Sequence, residues 1–177
     1  MVDDKSVQSL KNCLFSEVGT KVFAILDGAS VPSLLPNLTN FGPEYICLYR
    51  GELEPDMAAV APYLVVLDRD SDFTKWVLSN GWGEHWGIFG VTQADLPSLR
   101  KHFRKFLMVY DESGKSLYFR YYDPRVLRVY LPTCNAGELK TVFGPVVAYL
   151  LEDDDVKVAR KVVFVGERLV EDRVVVG

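Results

Sequence analysis

Near the start of the chain lies Val22-Phe23-Ala24-Ile25-Leu26, an unbroken apolar run that ends at Asp27-Gly28. Such a run before a turn signal is typical of a strand that is buried on both faces. Two similar runs follow, Tyr45 to Tyr49 and Tyr63 to Leu67. Ser30 to Phe41 contains two prolines among its leucines, which predicts a short irregular helix between the first two strands. Strand, helix and strand together predict a mixed α/β fold with a largely buried central sheet flanked by helices.

The strongest helical pattern lies at Leu96 to Met108, where apolar residues recur at helical spacing. Asp95 can cap the start of this helix, and Pro97 is tolerated in its first turn. Basic residues occupy the opposite face, at Arg100, Lys101, Arg104 and Lys105. We interpret this basic face as an ordinary solvated helix face, with contact to an acidic partner or to nucleic acid as the alternative.

Weaker patterns supply the remaining elements of the main domain. The predicted helices are Phe73 to Ser79, Arg125 to Leu131 and Ala136 to Phe143. The predicted strands are Trp86 to Val91, Leu117 to Tyr121 and Val146 to Leu151.

The end of the chain has the pattern of a β-hairpin. Val162 to Val165 and Leu169 to Val175 are rich in β-branched residues, and Gly166-Glu167 separates them. The acidic run Glu152 to Asp155 precedes this pair of strands. We therefore divide the chain into a main domain, 1–152, and a short β-rich tail, 153–177, that docks as an appendage.

The composition fits a folded protein with a large core. The chain has 177 residues, of which 49% are hydrophobic and 25% charged, with a formal net charge of -4. A negative net charge argues against nucleic acid as the main partner. The sequence contains no run of 18 apolar residues and no leader pattern, which predicts a protein without a membrane span. Three dispersed cysteines suit a reducing, cytoplasmic environment.

The residues of common catalytic and metal sites are scarce. The only histidines are His85 and His102, far apart and without metal-ligand spacing, so we predict neither a metal site nor a cofactor. We expect His102 to lie at the surface or boundary of its helix, and His85 to be a hydrogen-bonding or packing residue. The glycine-rich loop around His85 follows a helix and contains no lysine, so it does not resemble a phosphate cradle.

Asp27 and Asp123 are candidate functional carboxylates, because each follows a predicted strand. Such positions often carry active-site residues in α/β proteins, so an acid–base pair assisted by Arg120 is one interpretation. The other is that each aspartate caps the helix that follows, with Pro124 as the first helical residue after Asp123. We favour capping, and keep a small α/β enzyme acting on an unknown substrate as the alternative function.

The most distinctive stretch is Leu117-Tyr118-Phe119-Arg120-Tyr121-Tyr122-Asp123-Pro124-Arg125-Val126-Leu127, which we call the hallmark segment. Other pieces accompany it in order: Ala24 to Ala29, Leu48-Tyr49 with Gly51, Ala61 to Leu64, Trp76 with Gly81-Trp82-Gly83, Leu99-Arg100, and Phe143-Gly144-Pro145. From Val22 to about Leu150, this ordered set resembles a family that is catalogued as a domain of unknown function and identified with adaptor chaperones of the bacterial type VI secretion system.

This resemblance implies a cytoplasmic binding protein rather than an enzyme. Its members are understood to bind the N-terminal region of a cognate secreted effector and to help place it on the VgrG or PAAR spike, without an ATP motif. Many members continue into a second, variable lobe, whereas this chain ends soon after the shared region. We therefore expect partner choice to depend on the main domain and the short tail. A regulatory or structural partner without an effector is a third interpretation.

The hallmark segment has two physical interpretations. On a strand, Phe119 and Tyr121 would share one face, and Tyr118, Arg120 and Tyr122 the other. Arg120 could then brace Asp27 or Asp123 and order the loop before Pro124. Alternatively, Arg120, Tyr122 and Arg125 present a surface to the effector, since Tyr and Arg are common interface anchors.

The tryptophans Trp82 and Trp86 of the glycine-rich loop are predicted to be core residues, and either would be a candidate for gripping an apolar effector segment if it were exposed. The pair Gly144-Pro145 is predicted to be structural, since it ends a helix.

Overall fold

The computed structural model describes all residues from 1 to 177. Its main sheet has seven strands: β1 Lys21–Asp27, β2 Tyr45–Cys47, β3 Pro62–Leu67, β4 Gly87–Thr92, β7 Val146–Glu152, β8 Val158–Val165 and β9 Arg168–Val175. Their order is β2-β3-β1-β4-β7-β8-β9, and every neighbouring pair is antiparallel. A separate two-stranded ribbon contains β5 Met108–Tyr110 and β6 Ser116–Tyr118. The predicted mixed α/β fold is confirmed.

Seven α-helices surround the sheet: α1 Asp4–Leu14, α2 Leu34–Phe41, α3 Pro55–Val60, α4 Asp72–Gly81, α5 Leu96–Phe103, α6 Pro124–Tyr130 and α7 Ala136–Phe143. A 3-10 turn, Leu131–Thr133, follows α6. One core combines α1, α2 and α4 with one face of the sheet, and a second core combines α5, α6 and α7 with the other. The result is three layers. No helix has the length and apolar character that a membrane span requires.

Helical crossovers explain how an antiparallel sheet arises from alternating strands and helices. Both β1 and β2 pair antiparallel with β3, so they run in the same direction on either side of it. The helix α2 connects them along the chain. In the same way, α4 connects β3 and β4, which lie on either side of β1. Each unit is thus a strand-helix-strand crossover with another strand inserted.

Strand β1 lies at the centre of the molecule. Its side chains alternate, so that Val22, Ala24 and Leu26 enter one core, and Phe23 and Ile25 enter the other. All five are at most 2% exposed, which confirms the predicted burial on both faces. Because β3 and β4 pair with β1 on both sides, the carboxyl end of β1 is held in place and can anchor the loops that surround it.

Two predicted elements of the second layer have different bounds in the structure. The helix predicted to reach Met108 ends at Phe103, and tight turns follow, in which Lys105 N–H and Phe106 N–H donate to the carbonyls of His102 and Phe103. The chain reverses here because Met108 pairs with Tyr118 in the ribbon. The strand predicted to reach Tyr121 ends at Tyr118 because the turns before Met108 offer it no further partner strand.

The sequence patterns predict neither α1, at the N-terminal end, nor α3, between β2 and β3. Asp3 caps α1, and Val7, Leu10 and Leu14 bury its apolar face in the first core. The helix predicted from Ser30 begins at Leu34 instead.

The C-terminal hairpin belongs to the main sheet. Strand β8 pairs with β7 over Ala159 to Val163, directly across the boundary predicted near residue 152. Ala159, Val162 and Val176 are at most 2% exposed. The predicted hairpin is therefore confirmed, but it forms the edge of the sheet rather than an appendage to it.

Candidate functional site

Asp27 lies at the carboxyl end of β1 and is 2% exposed. Its carboxylate accepts hydrogen bonds from the Ala29 N–H and the Ser30 hydroxyl, both at 3.0 Å. It therefore holds the turn after β1 rather than capping a helix, since α2 begins only at Leu34. Gly28 is required at this turn because a β-carbon would lie 2.6 Å from the carbonyl oxygens of Ala59 and Ala61.

Arg120 forms an ion pair with Asp27, not with Asp123, through its guanidinium and the Asp27 Oδ2. The predicted bracing of a sheet-end carboxylate by Arg120 is therefore confirmed, with Asp27 as the partner. Burial lowers the pKa of Arg120, but the hydrogen bond and negative charge of Asp27 outweigh it, and the net shift is upward. This pair fastens the hallmark segment to the end of β1.

Asp123 caps α6 and pairs with Arg125. Its Oδ1 accepts from the Arg125 N–H at 2.9 Å, and its Oδ2 accepts from the Arg125 guanidinium at 2.7 Å. Burial raises the pKa of Asp123, but the bonds and charge of Arg125 outweigh burial and lower it overall. Pro124 occupies the first helical position, so the predicted cap and helix start are confirmed. This pair is local and secures the start of α6.

The two carboxylates thus have separate arginine partners. An open cavity of about 420 Å³ lies beside Asp27, lined by residues 28–36 with Ala59 and Val60. Neither Asp123 nor Arg120 lines it. The acid–base alternative required both carboxylates to converge in one pocket, and this cavity does not bring them together.

Within the hallmark segment, the predicted alternation of faces is wrong beyond Tyr118. Tyr121 and Tyr122 are consecutive, yet they are 3% and 4% exposed. The Tyr121 hydroxyl donates to the Phe103 carbonyl at 3.0 Å, and its ring stacks on Phe103 at a centroid distance of 5.8 Å. Desolvation raises the pKa of both tyrosines. Tyr122 is therefore a core residue, whereas Arg120 and Arg125 are half exposed, and their role in partner binding stays a prediction.

In the glycine-rich loop, both tryptophans are core residues, as predicted, with Trp82 1% and Trp86 9% exposed. The Trp82 indole N–H donates to the Val156 carbonyl at 2.8 Å. His85 Nδ1 lies 2.8 Å from the buried carboxylate of Glu152, which agrees with the predicted hydrogen-bonding role. Burial raises the pKa of Glu152, and the charge and hydrogen bond of His85 oppose this. The loop is fixed against the end of β7.

His102 is 7% exposed, so the prediction of a surface or boundary position is wrong. Its Nε2 donates to the Val142 carbonyl at 2.9 Å, and burial lowers its pKa. Gly144 packs on its ring, and a β-carbon there would lie 2.4 Å from His102. The Pro145 carbonyl accepts from the Thr92 hydroxyl at 2.8 Å. The pair Gly144-Pro145 thus joins α7 to its neighbours, in agreement with its predicted structural role.

The ribbon of β5 and β6 projects large apolar side chains into solvent. Met108, Tyr110 and Tyr118 are 38%, 72% and 67% exposed. Asp111 orders the turn by accepting from the N–H groups of Ser113 and Lys115. The hydrogen bond from the Ser113 hydroxyl, at 2.6 Å, is the main cause that lowers the pKa of Asp111, and the N–H bond from Lys115 adds to it. An exposed two-stranded ribbon is stable only when its base is anchored.

That anchor is the hallmark segment. Phe119 N–H donates to the Leu107 carbonyl at 3.0 Å directly after β6 ends. Arg120 then binds Asp27, and the two buried tyrosines follow. The segment therefore fixes the ribbon to β1 and α5.

A groove separates the ribbon from the loop after β2. It has a volume of about 680 Å³ and is lined by Leu48, Tyr49, Arg50, Leu53, Met57, Arg104, Lys105, Leu107, Met108, Tyr110 and Tyr118. We call it the ribbon groove. Sequence reasoning missed it because its walls come from three separate parts of the chain. One signal was available: the spacing of Met108 and Tyr110 places both on one face of a strand, although Met108 was predicted to end a helix and Tyr110 was assigned to no element.

The family described as Domain of unknown function (DUF4123) matches residues 22–141, which is more than half of the chain. The chain belongs to this family. The matched DUF4123 region contains β1 from Val22 onward, the hallmark segment and every residue of the ribbon groove. It ends within α7, so β7, β8 and β9 lie beyond it. No curated protein and no solved structure matches the chain.

Proposed function

We propose that this protein is a cytoplasmic adaptor chaperone that binds the N-terminal region of a cognate type VI secretion effector and helps load it onto the VgrG or PAAR spike. Membership of the DUF4123 family supports this proposal, together with the ordered motifs that the sequence shares with such adaptors. On this proposal the protein acts by binding and needs neither a cofactor nor a catalytic group.

The observation that carries the proposal is the exposed ribbon and its groove. Large apolar side chains that remain exposed side by side are typical of protein interaction sites. Here the hallmark segment holds them in place through the Arg120–Asp27 pair and the buried Tyr121 and Tyr122. The hallmark segment, which is the most distinctive part of the resemblance to adaptors, thus holds the proposed interaction surface in place. The pairing of Asp27 and Asp123 with separate arginines favours this structural role over acid–base catalysis.

Co-expression tests the proposal directly. The tagged chain is produced with the products of the open reading frames that adjoin its gene, and the bound proteins are identified after affinity purification. We expect one neighbouring product to co-purify and to be more stable in cells that contain the chain. A double substitution in the ribbon, Tyr110→Ser with Tyr118→Ser, should reduce its recovery about ten-fold.

A matched control is the double substitution Val165→Ser with Val175→Ser. Both valines are exposed, at 62% and 71%, and they lie towards the opposite edge of the sheet. This variant should bind like the wild-type chain. Failure of the wild-type chain to bind any neighbouring product or the spike would overturn the adaptor proposal.

A further inference from the structure

The ribbon groove has three basic residues in its lining and no acidic one. Arg50, Arg104 and Lys105 line it, and none of them forms an ion pair. Acidic residues are present in the neighbouring segment, at Glu52, Glu54 and Asp56, but they pair with none of these groups. In a chain of net charge -4, the lining of this groove thus has only basic charged groups.

Arg104 lacks not only an ion-pair partner but also a hydrogen-bond partner for one of its nitrogen atoms. Its Nε is buried and has no hydrogen-bond partner. Desolvation and the nearby charges of Arg100 and Arg50 lower its pKa, although a guanidinium remains protonated at neutral pH. Arg100 itself donates from Nε to the Cys47 carbonyl at 3.0 Å, so it already has a partner. Arg104 also lines the groove, so its guanidinium adds to the wall a positive charge that no carboxylate of the chain pairs.

The other walls of the groove are apolar. Met108, Tyr110 and Tyr118 come from one face of the ribbon, as the Met108–Tyr118 pairing requires. The loop after β2 and α3 supply the opposing apolar residues Leu48, Leu53 and Met57. Tyr49 and Tyr118 approach across the groove, with ring centroids 6.1 Å apart. An occupant must therefore present apolar side chains along one face and negative charge beside them.

We propose that the ribbon groove binds an acidic amphipathic segment of the partner protein. This inference rests on the adaptor function and names the chemistry of the segment that the adaptor recognises. Apolar side chains of the segment pack between the ribbon and the loop after β2, and its carboxylates pair with Arg50, Arg104 and Lys105. Partly desolvated arginine–carboxylate pairs supply specificity for such a segment, while apolar contact supplies most of the affinity.

The test uses three fluorescent peptides of about 18 residues, long enough for about five helical turns. The first places Leu at helical spacing with Glu on the flanks. The second has the same pattern with Lys in place of Glu, and the third keeps the Glu residues but replaces Leu with Ser. We expect the purified full chain to bind the first peptide about ten-fold more tightly than either of the others, as measured by fluorescence anisotropy.

The key variant combines Arg50→Glu with Lys105→Glu, since both residues are exposed and their replacement leaves the core intact. It should weaken binding of the Leu/Glu peptide about ten-fold and improve binding of the Leu/Lys peptide. The matched control combines Lys5→Glu with Lys157→Glu, two exposed lysines outside the groove, and should bind like the wild-type chain. Thermal unfolding verifies that all three proteins are folded.

Equal binding of the Leu/Glu and Leu/Lys peptides, or an unchanged preference in the key variant, would overturn the inference. The inference would also be overturned if a single-stranded oligonucleotide bound as tightly as the Leu/Glu peptide, because the basic residues would then be a nucleic-acid binding site. The adaptor function is scored separately, by co-purification of a neighbouring gene product. If the key variant retains that product at the wild-type level, the groove inference fails while the adaptor function stands.

Discussion

At the scale of single residues, ion pairs and packed aromatic rings hold the hallmark segment in place. Asp27 is almost wholly buried and is neutralised by a residue that lies 93 positions away in sequence, Arg120. Asp123 is paired with Arg125, only two positions away. Both pairs join an almost buried carboxylate to a half-exposed arginine, but only the Arg120 pair connects two segments that are far apart in sequence. The two arginines therefore differ in what their removal should cost.

Replacement of Arg120 by Ala should lower the free energy of unfolding by about 1–3 kcal/mol, because Asp27 keeps its turn contacts but loses its charge partner. Arg125→Ala is the matched control, and should cost less than about 1 kcal/mol since Asp123 still caps α6. Urea unfolding of the three proteins measures both values. Equal losses in the two variants would contradict the distinction between a long-range brace and a local pair.

At the scale of elements, the C-terminal hairpin is fixed to the sheet by a charged cluster as well as by backbone pairing. Asp153 directly follows β7 and is 5% exposed. Its Oδ2 accepts from Arg160 of β8 at 2.6 Å and from Arg173 of β9 at 2.7 Å. The hydrogen bond from Arg160 is the main cause that lowers the pKa of Asp153 well below its usual range. One carboxylate thus connects the ends of three strands.

Asp153→Asn should destabilise the protein by about 1–3 kcal/mol at neutral pH. Because the folded-state pKa lies below the unfolded value, the contribution of Asp153 is present above the ordinary aspartate pKa and is lost as pH falls through the folded-state value. The stability difference between wild type and Asp153→Asn should therefore be constant above about pH 5 and should shrink in more acidic buffer. Urea titrations across this pH range measure it.

The control for this experiment is Asp172→Asn, which removes an exposed carboxylate of β9 that forms no ion pair. It should change stability by less than about 0.5 kcal/mol at every pH. A stability difference between wild type and Asp153→Asn that grows as the pH falls would contradict the predicted direction of the pH dependence.

At the scale of the whole molecule, two cores share one antiparallel sheet, and the ribbon groove lies beside the short edge strand β2. The opposite edge is β9, whose residues are mostly exposed and include Arg168, Glu171 and Arg173. Charged side chains on an edge strand discourage pairing with other chains. The interaction surface that we propose is therefore at the other end of the molecule from the protected edge.

Deletion of residues 153–177 should abolish cooperative folding rather than remove an appendage. The truncated chain would lose the buried Ala159, Val162 and Val176 and would expose the edge of β7. We expect an insoluble product, or a soluble one without a cooperative thermal transition. A Gly-Ser insertion between Gly166 and Glu167, in the turn of the hairpin, is the control and should be tolerated. A truncated chain that unfolds cooperatively near the wild-type temperature would contradict this prediction.

Local sequence patterns were sufficient for much of the fold. The apolar run of β1 predicted a strand buried on both faces, Asp95 and Asp123 were predicted as helix caps, and the C-terminal hairpin followed from its turn and β-branched residues. Each depends on residues that are close in sequence, where periodicity, capping and turn chemistry act.

Only the tertiary structure decided which distant partners meet. The pairing of Met108 with Tyr118 ended α5 at Phe103 against a helical pattern that continued, and Arg120 bound Asp27 in preference to its neighbour Asp123. Tyr122 became a core residue, and the ribbon groove formed from segments around residues 50, 104 and 118. The sequence by itself determined where strands and caps lie, because those preferences are local. The burial of Tyr122, the partner of Arg120 and the groove depend on packing between elements far apart in the chain, which no local pattern encodes.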